Sequence, residues 1–163
     1  MANEISVWDS ELESIAEQVR PRLAGMYVGT SSDLAGNCLV IKTGKHEIWF
    51  GTANETINAD VTDENNQRHS VLETHVRSDA KSATAIAVGI VDAMNAWTKT
   101  EEKDERLETA VTDAENAFWS EIAKSYPEAA SGDLEPLIVH QLRETMRAAV
   151  KRWVELNAFG GEL

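Results

Sequence analysis

Apolar residues recur at three- and four-residue steps from Trp8 through Leu12, Ile15 and Ala16 to Val19, which predicts a helix over 6–20. Asp9 or Ser10 is placed to cap it, Ser10 with Glu13 fits a capping box, and Pro21 favours a stop nearby. Residues 24–37, rich in Gly, Ser, Asp and Asn, read as a loop with a short extended piece at 26–28. The period then shortens to two. Segments 38–43, 46–52, 55–62 and 67–77 read as four strands, separated by Gly44-Lys45, Ala53-Asn54 and the polar run 63–66. Turns this short imply an antiparallel meander with one buried face; with Ile48 and Phe50 inward, Trp49 takes the other face, where it either marks a contact surface or lies under the N-terminal helix or the C-terminal hairpin.

Helical spacing returns after residue 78. Ser78 or Asp79 is the expected cap of a helix running to about Trp97, its inner stripe formed by Ala83, Ile86, Ala87, Ile90, Met94 and Trp97. The polar stretch 98–104 reads as a linker. A helix over 104–125 follows, striped by Leu107, Val111, Ala114, Phe118 and Ile122, and Pro127 ends it. Residues 127–133 read as a loop with Asp133 as the next N-cap and Pro136 in the first turn. The final helix, 134–157, is expected to turn Leu134, Leu137, Ile138, Leu142, Met146, Ala149, Val150 and Trp153 inward. One N-terminal helix, a four-stranded antiparallel meander and three further helices make an α+β fold. A single domain over 1–163 is expected. The stretch 98–104 is its one internal boundary, dividing a helix–meander–helix unit, 1–97, from a helical hairpin, 105–163.

Composition narrows the classes. A chain of 163 residues that is 42% hydrophobic is too apolar to be disordered, and at this length it can bury roughly two-thirds of its unfolded surface. The one cysteine, Cys38, excludes an internal disulfide framework and a cysteine zinc site. No apolar run approaches the ~18 residues of a membrane span, and the first residues lack the basic and apolar regions of a secretory signal, so a cytoplasmic protein is expected.

Charge adds the sharpest restriction. Lys and Arg number 15 against 28 Asp and Glu, for a net charge of −13. Such a chain repels nucleic acid phosphate and anionic membrane surfaces. The charge serves solubility, or it attracts a basic protein partner, including by imitating a nucleic acid. Its carboxylates concentrate over 1–20 and 99–121, whereas 133–155 is balanced. Arg143, Arg147 and Lys151 recur every four residues there and form one stripe, read as a solvated face.

Motifs for catalysis are missing. The chain has no GxGxxG, no GxxxxGK[ST] and no GxSxG, so no cofactor is expected. A metal would need His46, Glu73 and His75. His69, Glu73 and His75 share parity on one strand, but positions six apart are roughly 20 Å from each other and Glu73 and His75 roughly 7 Å, so a third ligand must come from elsewhere. A polar outer sheet face is the simpler account, and no metal site is assigned. His140 reads as a boundary histidine of the last helix, and Cys38 as a small strand hydrophobe.

The run Phe118-Trp119, Ile122-Ala123, Pro127-Glu128-Ala129, Ser131-Gly132-Asp133-Leu134, Trp153-Val154-Glu155 and Asn157 resembles a C-terminal segment of small uncharacterised bacterial proteins, some carried on phages and plasmids. It covers 118–157, a quarter of the chain, and Trp49-Phe50-Gly51 in the meander is similar in flavour to that group. The resemblance implies an accessory or mobile-element protein and brings no activity or site residues with it.

The expectation is therefore a non-enzymatic, acidic binding protein working through protein–protein contacts, such as a mobile-element inhibitor of a host nucleic-acid-binding machine. Its contact residues would be Trp49 and the acidic positions Glu101, Glu102, Glu105, Glu108, Asp113 and Glu115. The alternatives are a small enzyme or ligand binder using the sheet face, and a subunit of a larger assembly, such as a homodimer through the sheet edge or the last helices.

Overall fold

The computed structural model describes residues 6–33, 36–62, 68–127 and 135–158. Helix α1 spans Val7–Val19 and runs into a single 3-10 turn, Arg20–Arg22. Five strands follow: β1 Tyr27–Asp33, β2 Gly36–Lys42, β3 Glu47–Ala53, β4 Thr56–Thr62 and β5 Arg68–Arg77. Helix α2, Ala83–Ser125, and helix α3, Pro136–Ala158, complete the order. The fold is α+β, with one antiparallel meander in the order β1-β2-β3-β4-β5. Contacts divide the chain into two compact units, Met1–Thr98 and Lys99–Leu163, the division falling within α2.

The sheet has one strand more than the expected four. β1 occupies the segment read as a loop, and it pairs with β2 along its length, from Tyr27 with Lys42 to Asp33 with Gly36. Its Gly and Ser residues are poor strand formers. They are accommodated at a sheet edge, where Gly29 leaves room for the ring of Tyr27 to lie across it. The β3–β4 hairpin turns through Asn54 and Glu55, both with positive φ, the conformation a two-residue turn requires.

Unit 1 has a layered core. The buried strand row Val28, Ile41, Ile48 and Val61 lies beside the row Leu39, Phe50 and Ala59 in register. Trp8, Leu12, Ile15, Ala16 and Val19 of α1 and Ile86, Ile90 and Met94 of α2 close over them. Gly89 allows α2 to approach β5, because a Cβ at that position would run into the side chain of Val76. The inner stripes expected for 6–20 and for 83–97 are the ones buried.

Three helix boundaries differ from expectation. Ser6, rather than Asp9 or Ser10, caps α1, its hydroxyl accepting from the Asp9 N–H at 3.3 Å. Ser82, rather than Ser78 or Asp79, begins α2, its hydroxyl accepting from the Ala85 N–H; Ser78 instead closes the end of β5 by donating from its N–H to the Glu55 carbonyl. The expected linker 98–104 is helical, so two predicted helices are one. That stretch holds no Gly or Pro, its Glu and Lys are good helix formers, and Thr98 bonds back to the Met94 carbonyl. The proposed cap at Asp133, the loop 128–133, Leu134 and the 63–66 turn lie outside the described residues.

Candidate functional site

The histidine-bearing sheet face does not assemble a site. His46 precedes Glu47, which pairs with Thr62 at one end of β4, whereas His75 lies beside Arg77, which pairs with Thr56 at the other end. His46 stacks edge-on against Trp97, with ring centroids 5.3 Å apart. The shared parity of His69, Glu73 and His75 fails at a bulge. Ala59 pairs with Leu72 and Asp60 with Ser70, so two steps of β5 match one of β4 and the alternation reverses. His69 pairs with the inward Val61, while Glu73 pairs with Asn58 on the outer face. Among the described residues, no three His, Cys, Asp or Glu side chains converge as metal ligands.

Trp49 lies on the sheet face opposite α1, half-buried between its register neighbours Val40 and Asp60. Cys38 is half-buried, its sulfur near Gly51 on the neighbouring strand.

A cleft of about 390 Å³ opens in unit 1 between α1 and β1, where α1 kinks at Glu11 (φ −124°, ψ 19°). Two of the carboxylates that line it, Asp9 and Glu13, are engaged locally. Asp9 accepts from the Asn37 amide at 3.1 Å and from the Ser6 hydroxyl at 2.9 Å, and Glu13 accepts from the Thr30 hydroxyl. These bonds tie α1 to the β1–β2 edge, as does the Trp8 indole, which donates to the Asn37 carbonyl at 2.9 Å.

Unit 2 sorts its charges into two classes. The Arg143 Nε meets Glu115 at 2.6 Å, and Arg147 bridges Glu115 and Glu108, each at 2.8 Å. Lys151 reaches Glu108 at 4.0 Å. The Glu115 side chain is only 14% exposed, and the Arg143 guanidinium also lies 5.9 Å from the centre of the Trp119 ring. Hydrogen bonding to Glu115, with the charge of Glu108 added, raises the pKa of Arg147. The basic stripe expected to face solvent is thus the seam between α2 and α3. The i, i+4 spacing of Arg143, Arg147 and Lys151 was the signal, and the opposing Glu108 and Glu115 lie seven apart, two helical turns, on α2.

The seam rotates α3 away from its expected orientation. Arg143, Arg147, Val150 and Val154 face α2, and the buried cluster is Leu107, Val111 and Val154, flanked by Ala110 and Val150. Leu137, Ile138, Leu142 and Trp153, expected inside, are exposed. Trp153 is 64% and Leu156 66% exposed. Two guanidinium groups paired with carboxylates occupy the inward positions, which leaves the apolar stripe to one side.

The remaining acidic residues lie elsewhere on α2. Glu102, Glu105 and Asp113 are exposed around a shallow depression that also includes Arg106, Thr109 and Ala110. Glu101 is half-buried. The six acidic positions singled out in the sequence therefore separate: Glu108 and Glu115 hold the hairpin together, and Glu102, Glu105 and Asp113 form an open face.

Comparison of the chain with protein-family models, with curated proteins and with solved structures finds no match. What the geometry offers is contact chemistry. Unit 2 presents an open acidic face on α2 and an uncharged apolar stripe on α3. No helix among the described residues is long and apolar enough to cross a membrane.

Proposed function

We propose that the chain is a non-enzymatic binding protein that acts through protein–protein contacts, with a basic partner meeting the open acidic face of unit 2. One observation carries this reading. Arg143, Arg147 and Lys151 are spent on Glu108 and Glu115, so they do not offset the exposed Glu102 and Asp113 on another part of α2. A charge of −13 over the chain adds long-range attraction for a basic surface and speeds encounter. The same charge and the resemblance of 118–157 to phage- and plasmid-borne proteins together favour a cytoplasmic inhibitor of a host nucleic-acid-binding machine.

The test is capture of host proteins by the immobilised full chain at low and high salt. Attraction between exposed charges is screened over about 10 Å at 0.1 M salt and over shorter distances above it. Basic nucleic-acid-binding proteins are expected to be retained at low salt and lost at high salt. Retention of no basic protein at low salt contradicts the reading.

A further inference from the structure

We propose that the open edge of β1 takes up an extended, basic segment of a partner protein as an added strand. The hydrogen-bond pattern of the sheet fixes which groups that edge offers. The Thr43 N–H donates to the His46 carbonyl at 2.9 Å and closes the β2–β3 hairpin. Bonded pairs alternate along an antiparallel ladder, so Ile41 and Leu39 bond toward β3, and Lys42, Val40 and Cys38 bond toward β1. Their partners on β1 are Tyr27, Gly29 and Ser31. Val28, Thr30 and Ser32 therefore turn their N–H and C=O away from β2. The Arg20 guanidinium donates to the Val28 carbonyl at 3.3 and 3.4 Å and so caps one end of the row. Thr30 and Ser32 follow as two rungs on which a strand can pair.

The two edges of the sheet differ. β5 shifts register twice against β4, which spoils it as a template, whereas β1 keeps unbroken register with β2 from Tyr27 to Asp33. The cleft of about 390 Å³ opens beside the same two rungs, with Thr30 and Ser32 on one wall and α1 on the other. That volume falls within the range of about 300–1,000 Å³ typical of ligand sites. Strand addition draws its affinity from main-chain bonds and its specificity from the places that alternate side chains enter.

Charge chooses the occupant. Asp9, Glu11 and Glu13 lie on the α1 wall, and no Lys or Arg is among the described residues that line the cleft. Asp9 and Glu13 are held by the Asn37 amide and by the hydroxyls of Ser6 and Thr30. These donors are neutral, so both carboxylates keep their charge. Every second side chain of an entering strand faces α1, so Lys or Arg at alternate positions answers the carboxylates there. A second copy of the chain would bring further negative charge to the same edge, and nucleic acid is repelled by it. This surface belongs to unit 1, and the inference does not rest on the acidic face of unit 2.

A hexapeptide of alternating lysine and valine, titrated against the full chain at low salt, tests it. Amide exchange at Thr30 and Ser32, followed by nuclear magnetic resonance, is expected to slow about tenfold at saturation, because both N–H groups become bonded. The same peptide with every backbone amide N-methylated, equal in charge, is expected to bind about tenfold more weakly. Ser32→Pro removes one outward N–H at an edge position that accepts proline, and Glu11→Gln removes one charge from the cleft wall. Each is expected to weaken binding several-fold with unchanged circular dichroism, and Glu11→Gln decides the matter if the proline variant fails to fold. The triple variant Glu102→Gln, Glu105→Gln, Asp113→Asn is expected to bind the peptide as the chain does. Unchanged exchange at Thr30 and Ser32 in millimolar peptide overturns the proposal. Equal affinity for the N-methylated peptide also overturns it, since charge alone would then hold the peptide. Binding that vanishes in the triple variant overturns it as well, while leaving the proposed function standing. Slowed exchange at Thr30 and Ser32, with no basic host protein captured at low salt, upholds the edge and contradicts the proposed function.

Discussion

Unit 1 buries Trp8, Phe50 and a set of branched aliphatic residues between one face of the sheet and two helical stripes. Unit 2, among its described residues, buries Leu107, Val111 and Val154, and it closes its hairpin with guanidinium–carboxylate pairs. A large side chain removed from water stabilises by about 1.5–3 kcal/mol, whereas ion pairs open to solvent contribute little and weaken in salt. The first unit therefore has the resources of an independent scaffold. The second leaves on its surface Leu137, Ile138, Leu142 and Trp153, the residues that would enlarge its core.

Four substitutions and one titration sharpen that contrast. Phe50→Ala empties the middle of the unit 1 core and is expected to cost about 3–5 kcal/mol in chemical denaturation followed at Trp8. Gly89→Ala sets a methyl group against Val76 and is expected to cost about 1–3 kcal/mol by forcing α2 away from β5. Val111→Ala removes part of a small core and is expected to cost about 1–2 kcal/mol, lowering the melting of the hairpin while the unit 1 transition keeps its midpoint. An equal loss in both transitions would show that the units unfold as one. Glu115→Gln breaks the contacts of Arg143 and Arg147, and its smaller effect on hairpin melting should shrink as salt is added.

The smallest effect concerns Asp79. The hydrogen bond from the Arg77 guanidinium holds its pKa below the ordinary 3.8. A depressed carboxylate stabilises the fold above its unfolded pKa, and that contribution is lost as pH falls through the folded value. Asp79→Asn should therefore cost a small amount of stability at neutral pH, a difference that disappears below about pH 4 and leaves the acid denaturation curve slightly flatter there.

Unit 1 was the more legible half in sequence. The steps of Trp8, Leu12 and Ile15 and the alternation around Ile48 and Phe50 report directly which face is buried, because one apolar face met one core. β1 was hidden by its Gly and Ser content, since an edge strand next to Gly29 is stabilised by pairing and by Tyr27 rather than by propensity. The unbroken α2 was hidden because a polar run of Glu, Lys and Thr reads as a linker and as a helix equally well.

Unit 2 misled for a more instructive reason. Periodicity locates an apolar stripe on α3 but says nothing about what covers it, and the adjoining basic stripe competed for the same partner helix. Arg143 and Arg147 won that position by pairing with Glu115 and Glu108, so Leu142 and Trp153 were turned outward. In the sheet, the bulge in β5 broke the alternation that had aligned His69 with Glu73 and His75. Among the six acidic positions, composition alone could not separate Glu108 and Glu115, which pair across the hairpin, from Glu102, Glu105 and Asp113, which are exposed elsewhere on α2.

The most direct test of the account is capture at low salt by two immobilised proteins, the chain itself and the triple variant Glu102→Gln, Glu105→Gln, Asp113→Asn. Basic proteins retained by the chain and lost by the variant, with equal circular dichroism for the two, is the predicted result. Retention of the same proteins by both would contradict the assignment of the contact to the open acidic face of unit 2.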